Sequence, residues 1–202
     1  MSHGTLFIVS APSGAGKTSL VAELLRRNRN IKASISHTTR PRRLGEKNGV
    51  NYHFTKKAAF LKMIDEQAFL EHALVFSHHY GTSHAWVVET LAQGIHVILE
   101  IDWQGAEQAR TKFPDSKSIF ILPPSIQALE DRLNTRGQDD PDVIVKRLSA
   151  AKEEMSHYTE ANYIIINDEF NIALEQLESF IYKQCPSNVN DLDTSLIQKL
   201  LS

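Results

Sequence analysis

The chain has 202 residues, 42% of them hydrophobic and 23% charged, which suits one medium-sized soluble domain or one core carrying small inserted lobes. A net charge of -2 excludes a global attraction to nucleic acid or anionic membrane. The lone cysteine, Cys185, excludes an internal disulfide and, lying before Pro186 without a His or Asp constellation, reads as an inert thiol. The first residues carry no signal-peptide pattern and no apolar run approaches ~18 residues, so a cytoplasmic protein without membrane or nucleic-acid partners is expected.

Short apolar runs alternate with amphipathic helical segments along the chain. Residues 5–10 (TLFIVS) read as a buried strand, and 18–28 as a helix with Leu20, Val21, Leu24 and Leu25 on one side. Residues 36–83 break the rhythm: they are polar and turn-rich, with short strand-like pieces, and suggest an inserted lobe. Residues 96–102 (HVILEID) and 118–122 (SIFIL) are further buried strands.

Residues 132–147 (RLNTRGQDDPDVIVKR) read as a charged, hairpin-like link between two helices. The second of these helices takes Asp140 as N-cap and Pro141 in its first turn, and buries Ile144, Leu148, Ala151 and Met155. A last strand, 163–166, precedes a helix with Phe170, Leu174, Leu177 and Ile181 on one stripe. In the tail, 186–202, Leu192, Leu196 and Leu200 form another stripe, suited to packing on the core or on a partner, which leaves a homo-oligomer open. Continuous apolar strands separated by helices predict an α/β fold with a parallel sheet covered on both faces.

Within this frame the stretch from Ile8 to Thr18, IVSAPSGAGKT, is a strand, a glycine-containing turn and a helix start. It matches the phosphate-binding pattern G-x-x-x-x-G-K-[ST] except that Ala11 stands at the first glycine. Alanine is acceptable there if its φ is negative, because Gly14 and Gly16 occupy the tight turns. The loop Ala11, Pro12, Ser13, Gly14, Ala15, Gly16 would cradle a nucleotide's β-phosphate with its N–H groups. Lys17 would reach the β- and γ-oxygens, and the Thr18 hydroxyl would hold Mg²⁺. Downstream, Arg40, Arg42 and Arg43 with Tyr52 suit a second phosphate dianion.

Taken together these motifs resemble the guanylate kinases. The matching residues are Ser36, Thr38, Thr39 and Arg40, then Arg43, Gly45, Glu46 and Tyr52. FLEHA with Glu71, YGTS from Tyr80, EIDWQG from Glu100, RGQD from Arg136 and Arg147 follow in family order. The resemblance implies Mg²⁺-dependent transfer of the ATP γ-phosphate to GMP, directly and without a covalent intermediate, in purine nucleotide metabolism. It implies an α/β P-loop core of residues 1–35, 84–131 and 159–202, a GMP-binding lobe of 36–83 and a small helical lid of 132–158.

It further implies that Arg40, Arg43, Tyr52 and Tyr80 hold the GMP phosphate and that Ser36, Glu71, Thr82 and Asp102 read guanine. Glu100 would organise Mg²⁺ through water, Lys17, Arg40, Arg136 and Arg147 would act in catalysis, and Asn167 would lie near the ATP base. Taken singly, Glu71 reads as a surface acid, so its role rests on the resemblance. The sequence departs from the family where Pro41 directly follows Arg40, where His78-His79 precede Tyr80, and where Glu100 replaces the Asp of many relatives. Three rivals share parts of the pattern: a phosphopeptide-binding module that has lost catalysis, a kinase for AMP, UMP or shikimate, and a nucleic-acid-binding P-loop protein.

Overall fold

The structure, a computed structural model, describes residues 3–75, 77–135, 141–183, 188 and 192–201, with only the backbone for 141–143. Arg136, Asp140 and Cys185 lie outside the described residues. Strands β1 (Leu6–Ser10), β2 (Ile31–Ala33), β3 (His37–Thr38), β4 (His53–Phe54) and β5 (Phe69–Val75) come first, with helices α1 (Lys17–Arg27) and α2 (Lys57–Asp65) among them. Then follow β6 (His78–Ser83), α3 (His84–Ala92), β7 (His96–Glu100), α4 (Trp103–Lys112) and β8 (Lys117–Leu122). The chain closes with α5 (Ile126–Thr135), α6 (Pro141–Ser156), a 3-10 turn at His157–Glu160, β9 (Tyr163–Ile166), α7 (Phe170–Lys183) and α8 (Thr194–Leu201).

The fold is α/β, with a five-stranded parallel sheet in the order β2-β7-β1-β8-β9 and helices flanking it. A second sheet of four strands, β4-β3-β6-β5, belongs to the inserted region, where β5 and β6 run antiparallel. The predicted strands fall at or within two residues of the observed ones, because runs such as β1, buried at every position, have no other place to go. Two compact units divide the chain: residues 1–8 with 30–116, and residues 9–29 with 117–202.

In the first unit Leu6, Ile8, Leu70, Val87, Leu91, Val97 and Leu99 form one core under Trp86 and Phe113. Helix α2, within the inserted region, has no counterpart in the sequence reading. Only Phe60 of its nine residues is buried, so its apolar face is too narrow to show a helical period. In the second unit Phe120, Leu122, Leu129, Leu133, Ala151, Met155 and Leu200 form the other core, with Leu192 and Leu196 packed against it. The tail stripe thus covers the chain's own core.

The expected link of 132–147 is shorter than its composition suggests, since α5 continues to Thr135 and α6 begins at Pro141. Of the stripe Phe170, Leu174, Leu177 and Ile181, Phe170 is 39% exposed at the first turn of α7 and the other three are buried.

Candidate functional site

The P-loop, residues 11–18, and the residues that hold it lie within the second unit. β1 delivers the chain to Ala11, and Gly16, with φ 93°, is the N-cap from which α1 departs. Gly14 has the same φ. Ala11 is not among the described residues with positive φ, so the missing glycine costs the loop nothing. Ala15 donates its N–H to the Pro12 carbonyl at 3.1 Å, closing the turn.

Asn167, 4% exposed just past β9, holds the back of the loop. Its Nδ2 donates to the Ala15 carbonyl at 2.7 Å, its own carbonyl accepts from Arg132 at 2.9 Å, and its N–H donates to Leu122 at 2.8 Å. The front of the loop meets α6: the Ser13 N–H donates to Glu154 Oε2 at 3.1 Å, and the Arg147 guanidinium donates to Ser13 Oγ at 3.1 Å. Lys17 and Thr18 sit in the first turn of α1, where the helix N-terminus favours an anion.

The lobe half lies in the first unit, on the four-stranded sheet. The Arg40 guanidinium donates to Glu46 Oε1 at 2.5 Å and to the Pro41 carbonyl at 2.8 Å, and stands 5.4 Å from the Tyr52 ring centre. Tyr52 and Tyr80 meet edge-on, their ring centres 5.9 Å apart. Glu46 also accepts from the Arg43 N–H at 2.7 Å, which fixes the loop between the two arginines. Burial acts to lower the Arg40 pKa, but Glu46 outweighs it and the guanidinium is held more firmly charged. Burial pushes the Tyr52 phenol above its usual range, so it remains a hydroxyl donor at neutral pH.

Thr38 and Thr39 serve the scaffold: the Thr38 hydroxyl donates to the His79 carbonyl, and Thr39 accepts from the His79 N–H. His79 stacks on Phe60, and among the described residues no group of three His, Cys, Asp or Glu is placed to hold a metal.

Two residues along β6 from Tyr80, on the same face, Thr82 pairs across the strands with Glu71. Glu71 is only 2% exposed, and among the described residues neither Glu71 Oε1 nor Thr82 Oγ1 makes a hydrogen bond of good geometry, although Thr82 stands close enough to act on the carboxyl. Burial pushes the Glu71 carboxyl up to about 7; the negative Asp102 adds to this, while Thr82 and Lys112 pull the other way. Asp102 caps α4, its Oδ1 accepting from the Gly105 N–H at 2.9 Å. Ser36 is half-buried, and its carbonyl accepts from the His53 N–H. Glu100 ends β7, where ligands of α/β sheets gather.

The structure therefore brings Arg40, Tyr52 and Tyr80 together, sets Glu71 against Thr82 near Asp102, and ties Arg147 to the P-loop. Sequence reasoning missed Glu46 as the anchor of Arg40, Glu154 on the loop, and the grip of Asn167 on Ala15. Glu46 and Glu154 carried a weak signal, the latter two helical turns beyond Arg147 and so on its face.

The guanylate kinase family profile matches residues 3–184. The chain is 54% identical to a guanylate kinase of Saccharophagus degradans, covering 98% of each chain. It is 56% identical to one of Vibrio cholerae, over 90% of this chain and 88% of the relative. The crystal structure of guanylate kinase from Anaplasma phagocytophilum superposes with a TM-score of 0.77 at 31% identity, covering 91% of this chain and 87% of that one. With a P-loop in one unit and an arginine–tyrosine cluster beside a buried acid in the other, the chain belongs to the guanylate kinase family, nucleoside monophosphate kinases that transfer a phosphate from ATP to GMP.

Proposed function

We propose that the two halves divide the substrates, ATP on the loop 11–18 and GMP on the lobe 36–83, with 132–158 as lid. The observation that carries the assignment is Glu71, a buried carboxylate with one oxygen that makes no hydrogen bond of good geometry, two strand positions from the Tyr80–Arg40 cluster. Two positions along a strand are about 7 Å, a spacing suited to a base at one end and a phosphate at the other. Guanine offers N1–H and N2–H₂ to Glu71, with Thr82, Ser36 and Asp102 beside it. Adenine lacks both donors and would leave the buried acid unpaired, the situation that gives discrimination of about 10⁴.

Arg40, Arg43, Tyr52 and Tyr80 take the GMP phosphate in this reading. The loop amides and Lys17 hold the β- and γ-phosphates of ATP, and Lys17, Arg147 and Arg136 offset charge on the phosphoryl group in flight. Mg²⁺ takes oxygen ligands, and the Thr18 hydroxyl and, through water, the Glu100 carboxylate are donors of that kind. Bound with ATP, it would neutralise phosphate charge. Arg40, kept charged by Glu46, positions the GMP phosphate as nucleophile for direct in-line transfer.

Among the described residues no helix is long and apolar enough to cross a membrane, and the reading places the reaction in the cytoplasm. The test is ADP formation from ATP and Mg²⁺ with GMP, AMP, UMP or no acceptor, in wild type and Lys17→Ala. Turnover with GMP alone, lost in the variant, is expected. Equal turnover with AMP would overturn the role of Glu71, and an active Lys17→Ala would overturn that of the loop.

A further inference from the structure

Glu71 sits beside a break in its own strand. The register of β5 against β6 shifts between Phe69 and Glu71, the mark of a bulge, and such bulges re-aim a side chain while taking backbone groups out of the ladder. Helix α4 takes up the backbone on both sides of that break. Lys112 Nζ donates to the carbonyls of Phe69 at 3.2 Å and Leu70 at 2.6 Å, immediately before Glu71. Gln108 clasps His72, immediately after it: Nε2 donates to the His72 carbonyl at 2.8 Å and Oε1 accepts the His72 N–H at 3.1 Å. Gly105, one turn earlier on the same helical face, lies so close that a Cβ there would stand 2.6 Å from Glu71 Oε2.

We propose that α4 is a splint for guanine selection, in which Gln108 and Lys112 are positioning residues that fix the backbone before and after Glu71. The inference rests on the reading of Glu71 as the guanine acceptor. Four hydrogen bonds between two side chains of one helix and the strand backbone converge on the residues flanking a single buried acid. Among the described residues two charged groups act on that acid: Asp102 from the turn before α4 raises its pKa, and Lys112 lowers it. From β6 comes the Thr82 hydroxyl, while α2 and α3, packed on the same strand, bring the apolar Phe60, Val87 and Leu91. Lys112 therefore acts twice, through its hydrogen bonds and through its charge.

The experiment is steady-state kinetics of the full chain with GMP and AMP, as a function of pH, for Gln108→Leu, Lys112→Met, Lys112→Arg and Glu71→Gln. In Lys112→Met, kcat/KM for GMP should fall about tenfold, as expected for lost hydrogen bonds at a buried polar site. The GMP-to-AMP preference should fall with it, while the KM for ATP stays unchanged. The pH below which KM for GMP rises should move upward in Lys112→Met and return in Lys112→Arg. Gln108→Leu should lower the preference without moving that pH.

An unchanged preference in folded Gln108→Leu and Lys112→Met, alongside its loss in Glu71→Gln, overturns the splint alone. An unchanged preference in Glu71→Gln overturns the reading of Glu71 and the splint with it. Should Gln108→Leu fail to fold, Gln108→Glu, which keeps the acceptor and loses the donor, carries its test on the preference; should Lys112→Met fail to fold, Lys112→Gln, which removes the charge, carries that on the pH limb.

Discussion

The P-loop half and the lobe half solve opposite problems. The loop must expose backbone N–H groups without a side chain in the way. It does so with two left-handed glycines and a buried asparagine behind them. Its chemistry is local and its scaffold remote: Asn167 lies 152 positions from Ala15, and Glu154 lies 141 from Ser13. The lobe must present side chains of chosen polarity, and the groups proposed to bind GMP come mostly from β5, β6 and the 40–52 loop, with Ser36 and Asp102 beside them. Its supports, Glu46 and α4, are attached directly to those segments. A phosphate needs charge and dipoles from anywhere nearby; a base needs donors and acceptors in a fixed pattern.

The contrast is sharpest at two glycines that leave room for a polar side chain, Gly16 beside Asn167 and Gly105 of α4 beside Glu71. A Cβ on Gly16 would lie 2.3 Å from Asn167 Nδ2, at a φ of 93° that L side chains rarely adopt. Gly16→Ala should therefore deform the loop, reduce kcat/KM for ATP by about 10²–10³-fold, and destabilise the chain by about 1–3 kcal/mol. Titration with ATP and thermal melting would check this, and a near-normal KM for ATP would break the comparison. Glu71→Gln should act on the other substrate only. It swaps an acceptor oxygen for a donor amide facing guanine's own donors, so the GMP-to-AMP preference should fall by about 10²-fold or more. A selectivity that survives the change would show that the lobe reads guanine elsewhere.

How far each half is legible in the sequence follows from the same distinction. The loop announces itself in a contiguous motif, and the buried strands in unbroken apolar runs, so the parallel sheet is answerable from the chain, while the Ala11 question needed its backbone φ. Glu71 is not: within FLEHALV it is one acid in an otherwise apolar strand, and only family resemblance gives it a task. Its burial and its poorly paired oxygen appear once β6 and α4 close over it. The grip of Asn167 on Ala15 was silent and that of Glu154 on Ser13 nearly so, because a hydrogen bond to a loop more than a hundred residues away leaves no periodicity. The same limit hid α2, whose single buried side chain cannot define a face.

Asn167→Ala gives a smaller test of the scaffold behind the loop. The variant leaves the Ala15 carbonyl without its donor and removes the acceptor side of nothing else, since the Asn167 bonds to Leu122 and from Arg132 use backbone atoms. Loss of one buried hydrogen bond should cost about 1–3 kcal/mol of stability. KM for ATP should rise while KM for GMP does not. Chemical denaturation with parallel kinetics separates the two readouts, and a rise confined to GMP would mean that the asparagine serves the other half.

The comparison also predicts a pH dependence that the lobe should have and the loop should not. Glu71 is pushed from 4.5 up to about 7 by burial, with Asp102 adding. A carboxyl whose folded pKa lies above its unfolded value contributes stability that is complete below pH 4.5 and lost as pH rises through about 7, here about 3 kcal/mol. The ligand-free chain should thus melt at higher temperature at pH 6 than at pH 8 so far as this group decides. Guanine needs the opposite state, since only the carboxylate accepts from both N1–H and N2–H₂. KM for GMP should therefore rise as pH falls below about 7, approaching tenfold per unit, while KM for ATP shows no such limb. Acid would then strengthen the empty fold and weaken the occupied site through one residue, and GMP should narrow the gap between the two melting temperatures. A KM for GMP that is flat through neutrality would mean that Glu71 is already ionised in the free protein, held so by a partner other than Thr82 or Lys112.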